Sequence, residues 1–85
     1  MVFIISYDLR KPDFDYQPLY DELDDLGAKR IQKSVWAVHS SDSTSDVFDA
    51  LWPYMHNDRD RLFVAVLDRD SGYKAKNSLT RLKNV

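Results

Sequence analysis

Two stretches of this chain are apolar on both faces of a strand, and they constrain the fold more than any other feature. They are VFIISYD, residues 2–8, and RLFVAVL, residues 61–67. Successive side chains of a strand point to opposite faces, so a run without polar alternation indicates a strand that is covered on both sides. The first stretch therefore predicts a central strand of a sheet, and Asp8 stands at its carboxyl end.

Helical and strand patterns alternate along the rest of the chain. Apolar residues at three- and four-residue spacing predict two helices, and short apolar or alternating runs between polar segments predict strands. The predicted elements after the first strand are a helix from an N-cap at Asp15 to Gly27, strands at about 28–32 and 35–39, a helix from roughly Asp46, the strand 61–67 and an additional short edge strand at 73–76. Their order is βαββαβ, with room for a short fifth strand.

This order predicts an α+β fold of the ferredoxin-like type. Right-handed crossovers would place both helices on one face of a four-stranded antiparallel sheet and leave the other face bare. Because the long strands are apolar on both faces, we expect a second copy of the chain to cover the bare face and form a homodimer. With 85 residues the chain is one domain, which we divide into a core, residues 1–68, and a basic C-terminal extension, residues 69–85.

Charge is distributed unevenly between these two parts. Residues 1–68 contain 7 basic and 13 acidic side chains, a net charge of −6, whereas residues 69–85 contain 5 and 1, a net charge of +4. Lys74 and Lys76 are therefore candidates for contacts with nucleic-acid phosphates. The alternatives are that the extension pairs with acidic groups of a neighbouring subunit or is a solvated terminus.

The lack of cysteine and of long apolar runs excludes several kinds of site and location. The chain contains no cysteine, so disulfides and thiolate metal sites are excluded. Its apolar runs are far shorter than a membrane-spanning helix, which takes roughly 18 residues. We therefore expect a cytoplasmic protein without a membrane partner.

Four segments resemble a known family in their order and spacing. They are IISYDLRKP, DLGAKR, QKSVW and NDRDRLFVAVL, all within about residues 1–68. The pair Tyr7-Asp8 at the end of the first strand and the group Gln32, Ser34, Val35 and Trp36 carry most of the likeness. With these motifs the chain resembles the CRISPR-associated Cas-two family and its SinR-like relatives, and less closely virulence-associated protein D.

The resemblance implies a dimeric, metal-dependent protein that acts on nucleic acid in antiviral defence. A divalent ion, Mg²⁺ or Mn²⁺, would lie between the two copies of Asp8. The implied activity is either an endonuclease that cleaves RNA or DNA or an adaptor role in spacer acquisition beside a CRISPR integrase partner. One aspartate is too few for such an ion, whereas two carboxylates with waters and a substrate phosphate suffice.

Residues near Asp8 are further candidates for the site. Tyr7 and Ser34 are expected to hydrogen-bond the substrate or the carboxylate as catalytic residues, and Arg10 and Lys11 to contact phosphate. The simpler interpretation is that Asp8 starts a turn and Ser34 closes one. Three functional hypotheses remain open from the sequence: a metal-dependent nuclease, a non-catalytic dimeric adaptor for nucleic acid or protein, and a toxin-type ribonuclease outside any CRISPR system.

Overall fold

A four-stranded antiparallel sheet forms the centre of the protein in the computed structural model, which describes residues 1–85. Its strands are β1 (Val2–Asp8), β2 (Lys29–Gln32), β3 (Val35–His39) and β4 (Arg61–Leu67), in the spatial order β2-β3-β1-β4. β1 pairs with a neighbour on each side. The prediction that the first strand is central is therefore confirmed.

The register of β1 with β4 assigns alternate side chains to the two faces of the sheet. Ile5 lies opposite Val64 on one face, and Ile4 lies opposite Ala65 on the other. We call the first of these the helix face, because both helices pack on it, and the second the open face.

Two helices, α1 (Gln17–Asp25) and α2 (Thr44–Leu51), cover the helix face. Each has an apolar side that faces the sheet, as its spacing predicts. The core between helices and sheet consists of Phe3, Ile5, Tyr7, Leu19, Leu23, Ala28, Trp36, Val38, Val47, Leu51 and Met55. Strand order, antiparallel pairing and two helices on one face are compatible with the predicted ferredoxin-like arrangement.

The second helix begins earlier than the sequence pattern predicts. Its N-cap is Ser43, whose hydroxyl accepts a hydrogen bond from the Asp46 backbone N–H at 3.1 Å. The Asp46 carboxylate in turn accepts one from the Ser43 N–H at 3.4 Å. This reciprocal capping box starts the helix at Thr44, so Asp46 lies inside the first turn and does not begin it.

A bulge interrupts the hairpin of β2 and β3. Arg30 pairs with Trp36, whereas Gln32 pairs with Val35, so the register shifts between the two pairs. One consequence is that Ile31 packs on the open face while Arg30 stays beside Trp36 on the helix face. The prediction of two short strands is confirmed separately, by the turn at Lys33 and Ser34 that divides β2 from β3.

The expected fifth strand at Tyr73–Lys76 is absent, and that prediction is wrong. These residues are exposed and have no regular backbone pairing. After β4 the chain turns on Asp68, whose carboxylate accepts hydrogen bonds from the Asp70 N–H and the Ser71 hydroxyl. The extension returns to the sheet only at Leu79, whose N–H donates to the Ile31 carbonyl at 2.9 Å. One backbone hydrogen bond is too few to form a β-strand pairing.

The end of the extension packs on the open face of its own sheet. Leu82, in a short 3₁₀ turn, is 6% exposed and packs with Val2, Ile31 and Ala37. Arg69 holds this turn, since its guanidinium donates to the backbone oxygens of Leu82 and Val85, both at 3.0 Å. From the sequence we expect a second copy to cover the whole open face. In the structure the extension of the same chain covers part of it.

No helix of this fold has both the length and the apolar character to cross a membrane.

Replacement of Leu82 by alanine tests the role of the extension. Leu82→Ala should lower the free energy of unfolding in urea by about 2 to 4 kcal/mol, because it removes buried methyl groups and leaves a cavity. Leu79→Ala is the matched control, since that side chain is 68% exposed, and it should change stability by less than about 0.5 kcal/mol. Equal effects of the two substitutions would show that the extension does not pack as described.

Candidate functional site

Asp8 lies at the rim of the open face, where β1 ends. It is the register partner of Arg61, and its side chain is 53% exposed. Its Oδ2 atom lies 3.4 Å from an Arg61 guanidinium nitrogen and 3.6 Å from one of Arg10. Pairs as exposed as these contribute little to stability, roughly 0 to 1 kcal/mol. The carboxylate is thus accessible, with two cations beside it.

Three exposed arginines line one depression of the surface, and two of them, Arg10 and Arg61, pair with Asp8. Arg10 follows β1, Arg59 precedes β4 and Arg61 begins β4, and together with Asp58 and Asp60 they line a shallow depression of about 430 Å³. We call Arg10, Arg59 and Arg61 the arginine corner. Guanidinium groups bind phosphate oxygens through paired N–H donors. This corner can therefore contact a phosphate backbone.

Tyr7 points to the opposite side of the sheet from Asp8. It is 7% exposed on the helix face, and its hydroxyl oxygen accepts hydrogen bonds from Trp36 Nε1 at 3.0 Å and Arg30 Nη2 at 3.3 Å. The hydroxyl itself donates to the Lys33 carbonyl at 3.5 Å. Its hydrogen-bonding capacity is therefore used within the protein. A catalytic role for Tyr7 stays a prediction, and the geometry gives Tyr7 a structural one.

Ser34 forms the turn between β2 and β3. Its carbonyl accepts a hydrogen bond from the Tyr7 backbone N–H at 3.1 Å, which ties the turn to β1. Its hydroxyl makes no hydrogen bond within the protein. Ser34 and Asp8 both line the mouth of one cleft, so the structure brings these two predicted residues to the same cavity.

That cleft, of about 700 Å³, is the largest cavity of the protein. It lies between the β2–β3 turn, α1 and the loop after β1. Its lining residues are Tyr7, Asp8, Leu9, Lys11, Pro12, Tyr16, Tyr20, Arg30, Lys33, Ser34 and Trp36. We call it the Arg30 cleft. Sequence reasoning placed Lys11 near the site but missed Arg30, Tyr20 and Lys33. The available signal was a cation at position 30, opposite the buried Trp36.

Lys11 and the two lysines of the extension differ in their surroundings. The Lys11 ammonium pairs with Asp13 at 2.8 Å, and hydrogen bonding from Lys11 lowers the pKa of Asp13. Lys74 and Lys76 are exposed in the irregular part of the extension. Nothing in one protomer brings these two lysines to the arginine corner by a hydrogen bond or ion pair.

A buried carboxylate, Asp60, anchors the loops that carry the arginine corner. It is 7% exposed and accepts hydrogen bonds from the Arg10 N–H at 2.7 Å, the Tyr16 hydroxyl at 2.6 Å and the His56 N–H at 2.7 Å. Burial opposes its ionisation, but these hydrogen bonds outweigh burial and lower the pKa of Asp60 below its usual range. Asp60 therefore ties the loop after β1 to the loop before β4.

Tyr16 shares this anchor. Burial, together with the hydrogen bond to the Asp60 carboxylate, raises the pKa of the Tyr16 hydroxyl to about 12. The hydroxyl is thus protonated at neutral pH and can donate to Asp60. The sequence did not indicate a role for Asp60, because its partners Tyr16 and Arg10 lie 44 and 50 residues away along the chain.

Divalent-metal ligands do not cluster in a single protomer. No group of three or more histidine, cysteine, aspartate or glutamate side chains is close enough to hold an ion. Of the acidic residues near Asp8, Asp13 pairs with Lys11, and Asp15 accepts a hydrogen bond from the Gln17 N–H at 3.0 Å. A site at Asp8 therefore needs a second carboxylate from outside this protomer.

No protein-family model matches the chain.

Loss of the Asp60 charge should destabilise the protein at neutral pH. In Asp60→Asn the amide group must point a donor at one of the backbone N–H groups that the carboxylate accepted, so the free energy of unfolding should fall by about 1 to 3 kcal/mol. Asp58→Asn, an exposed neighbour without hydrogen bonds, is the control and should be nearly neutral.

The stability difference between wild type and Asp60→Asn should depend on pH. The pKa of Asp60 is lower in the folded than in the unfolded chain, so its contribution is complete above about pH 4 and is lost as the pH falls through the folded value. Denaturation curves from pH 2 to pH 7, a range of about five units, should show wild type and Asp60→Asn converging in acid. A constant difference between them at all pH values would contradict this role of the ionised carboxylate.

Proposed function

We propose that the protein is a nucleic-acid-binding homodimer of the CRISPR-associated Cas-two type. One observation carries the proposal: three exposed arginines gather at one corner of a chain whose net charge is −2. Association with nucleic acid depends on local positive charge that neutralises phosphates. An acidic protein that gathers three exposed guanidinium groups at one corner, among Asp8, Asp58 and Asp60, favours a directed contact with a strand over general adhesion.

The remaining cations extend this contact surface. Lys11 belongs to the same loop as Arg10, and Lys74 and Lys76 stand in an extension that carries a net charge of +4. The extension packs on the open face through Leu82, so its lysines belong to the folded domain's surface. In the proposed adaptor role, the dimer presents a strand to a CRISPR integrase partner during spacer acquisition.

Removal of two corner arginines tests strand binding directly. The double variant Arg59→Gln, Arg61→Gln should weaken binding of a fluorescein-labelled single-stranded RNA or duplex DNA in anisotropy titrations. Loss of two phosphate contacts should also flatten the log–log dependence of affinity on salt by about 1.4 for a single strand and about 1.8 for duplex DNA.

Lys29→Gln provides the matched control for this experiment. Lys29 is an exposed cation of β2 that lies away from the corner, so its loss should leave the salt slope nearly unchanged. An unchanged slope in the double variant, or equal loss in the control, would contradict the proposed contact. Absence of any strand binding by the wild type would remove the proposed function.

Exposed apolar surface supports the homodimer. Phe63 is 62% exposed on the open face beside Ser6, its partner in β1. The extension packs around Val2, Ile31 and Ala37 and does not pack on Phe63. A second copy placed on this uncovered part of the open face would bury the aromatic ring, which is the usual role of such a patch.

A metal-dependent endonuclease is the second candidate, favoured by the position of Asp8. Asp8, Phe63 and Ser6 line the same small pocket, so a dimer that buries Phe63 also brings the two copies of Asp8 toward each other. Two carboxylates satisfy the protein's share of an Mg²⁺ or Mn²⁺ site. When bound, the ion would supply an activated water and charge stabilisation for phosphodiester cleavage. The adaptor role is preferred, because Arg10 and Arg61 already neutralise Asp8 in one protomer.

Dimerisation and metal binding are tested together by light scattering and thermal melting. The wild type should be a dimer at micromolar concentration, and Phe63→Glu should be a monomer because a charge would be buried at the interface. If Asp8 binds metal, free Mg²⁺ or Mn²⁺ at about a hundred times its dissociation constant should stabilise the wild type by about 2.7 kcal/mol. Asp8→Asn should remain dimeric and lose this gain.

The outcomes separate the two candidates. Metal stabilisation together with cleavage of RNA or DNA that Asp8→Asn abolishes supports the nuclease. Strand binding by a dimer with neither effect supports the adaptor. A monodisperse wild-type monomer would contradict the dimer and, with it, the metal site.

A further inference from the structure

We propose that the Arg30 cleft binds the phosphate monoester of a nucleotide. The assignment goes beyond strand binding at the arginine corner, since it concerns a separate cavity and a small ligand. It rests on the state of Arg30, on the charge of the cleft and on the apolar surface of its walls.

Arg30 is held in place without an anionic partner. Its guanidinium carbon lies 4.7 Å from the centre of the Trp36 ring and 5.5 Å from that of Tyr20. One N–H donates to the Tyr7 hydroxyl at 3.3 Å, while the Nε atom is buried and has no hydrogen-bond partner. No carboxylate lies within ion-pair distance of Arg30. A buried donor without a partner is costly, so Arg30 is not fully satisfied within the protein. Its Nη1 nitrogen is neither buried nor hydrogen-bonded and can donate to an acceptor that enters the cleft.

The cleft around Arg30 is cationic in an acidic protein. Its lining contains three basic side chains, Lys11, Arg30 and Lys33, and one carboxylate, that of Asp8. Lys11 pairs with Asp13, which leaves Arg30 and Lys33 as the two cations without an acidic partner. Asp8 is itself paired with arginines outside this group. A phosphate monoester carries about two negative charges at neutral pH and several acceptor oxygens, and the planar guanidinium can bind two of them at once.

Size and apolar surface favour a nucleotide over a free inorganic anion. The cavity of about 700 Å³ is far larger than a phosphate ion and lies in the range of small-molecule sites, about 300 to 1,000 Å³. Leu9, Pro12, Tyr16 and Tyr20 provide apolar and aromatic wall beside the cations. Burial raises the pKa of the Tyr20 hydroxyl, so it stays protonated and can donate to a ligand oxygen. A phosphate group next to a flat, partly apolar nucleoside matches this combination.

Binding of adenosine 5′-monophosphate to the wild-type protein is the test. Trp36 stacks on Arg30, so its fluorescence should change on titration, and calorimetry gives the affinity. We expect adenosine 5′-monophosphate to bind more tightly than either adenosine or inorganic phosphate. Equal binding of adenosine would overturn phosphate recognition, equal binding of inorganic phosphate would overturn the nucleotide assignment, and no response at millimolar concentration would overturn both.

Two neighbouring cations of β2 give a matched pair of variants. Arg30→Gln should weaken binding about 10- to 100-fold, the range for lost hydrogen bonds to a charged group. Lys29→Gln makes the same change of charge one residue away, but Lys29 is paired with Ala37 and faces the open side, so it should bind like the wild type. If both variants lose affinity equally, the effect is one of overall charge and the site is wrong.

A further variant covers the case in which Arg30→Gln does not fold. Lys33 is exposed at the mouth of the cleft, so Lys33→Gln should keep the fold, which circular dichroism checks, and weaken binding about two- to fivefold. If Arg30→Gln is unfolded and Lys33→Gln binds as tightly as the wild type, the result would contradict binding in the cleft.

The source of the monoester is identified by comparing ligands. A short single strand with a 5′-phosphate and the same strand with a 5′-hydroxyl distinguish a strand end from a free nucleotide, and preference for either phosphorylated ligand supports the site. Arg59→Gln, which removes a corner arginine and leaves both arginine partners of Asp8 in place, should bind adenosine 5′-monophosphate normally. Failure of strand binding and failure of the Arg30 cleft are therefore separate results.

Discussion

The apolar side chains on both faces of β1 are the constraint on which the rest of the structure depends. Phe3 and Ile5 are fully buried under the helices, and Val2 is 4% exposed on the other side. Cover on both sides of such a strand is favourable, since each fully buried aliphatic or aromatic side chain contributes about 1.5 to 3 kcal/mol. The helices cover one side, and the extension, through Leu82, covers part of the other.

The arginine corner depends on a second interaction, the burial of the Asp60 carboxylate. Two backbone N–H groups from separate loops, those of Arg10 and His56, converge on its oxygens. Loops are usually more mobile than helices and strands. A carboxylate that accepts hydrogen bonds from both loops therefore gives the arginine corner a defined geometry. Asp60 thus both stabilises the fold and positions the arginines that would contact phosphate.

Local patterns predicted the secondary structure, because helices and strands depend on short-range periodicity. The positions of β1 to β4, the two amphipathic helices and Asp8 at a strand end all follow from residues near one another in sequence. The capping box at Ser43 starts α2 earlier than predicted, and the N-cap of α1 is Tyr16 where Asp15 was predicted. Residues 73–76 of the extension were mispredicted as an edge strand. The packing of Leu82 was missed because its partners Val2, Ile31 and Ala37 are distant in sequence.

Tertiary partners explain what sequence reasoning missed at the candidate sites. Arg30 was missed because α1 brings Tyr20 and β3 brings Trp36 close to its guanidinium. Asp60 was missed because two of its hydrogen-bond partners lie more than forty positions away in the sequence. Neither arrangement leaves a local motif. The dimer and the metal site concern a second copy and a ligand, so they are proposals that rest on exposure and charge, and the Cas-two resemblance rests on the sequence motifs alone.

The alternation of Tyr7 and Asp8 also has a consequence for how the chain finds its alignment during folding. A slip of β1 by one residue would exchange every side chain between the faces and carry the Asp8 carboxylate toward the core under the helices. An ionised group buried there without a partner costs several kcal/mol, while Tyr7 would lose the hydrogen bonds from Trp36 and Arg30. The charged end of β1 therefore discriminates against misaligned sheets, whatever Asp8 does once the sheet has formed.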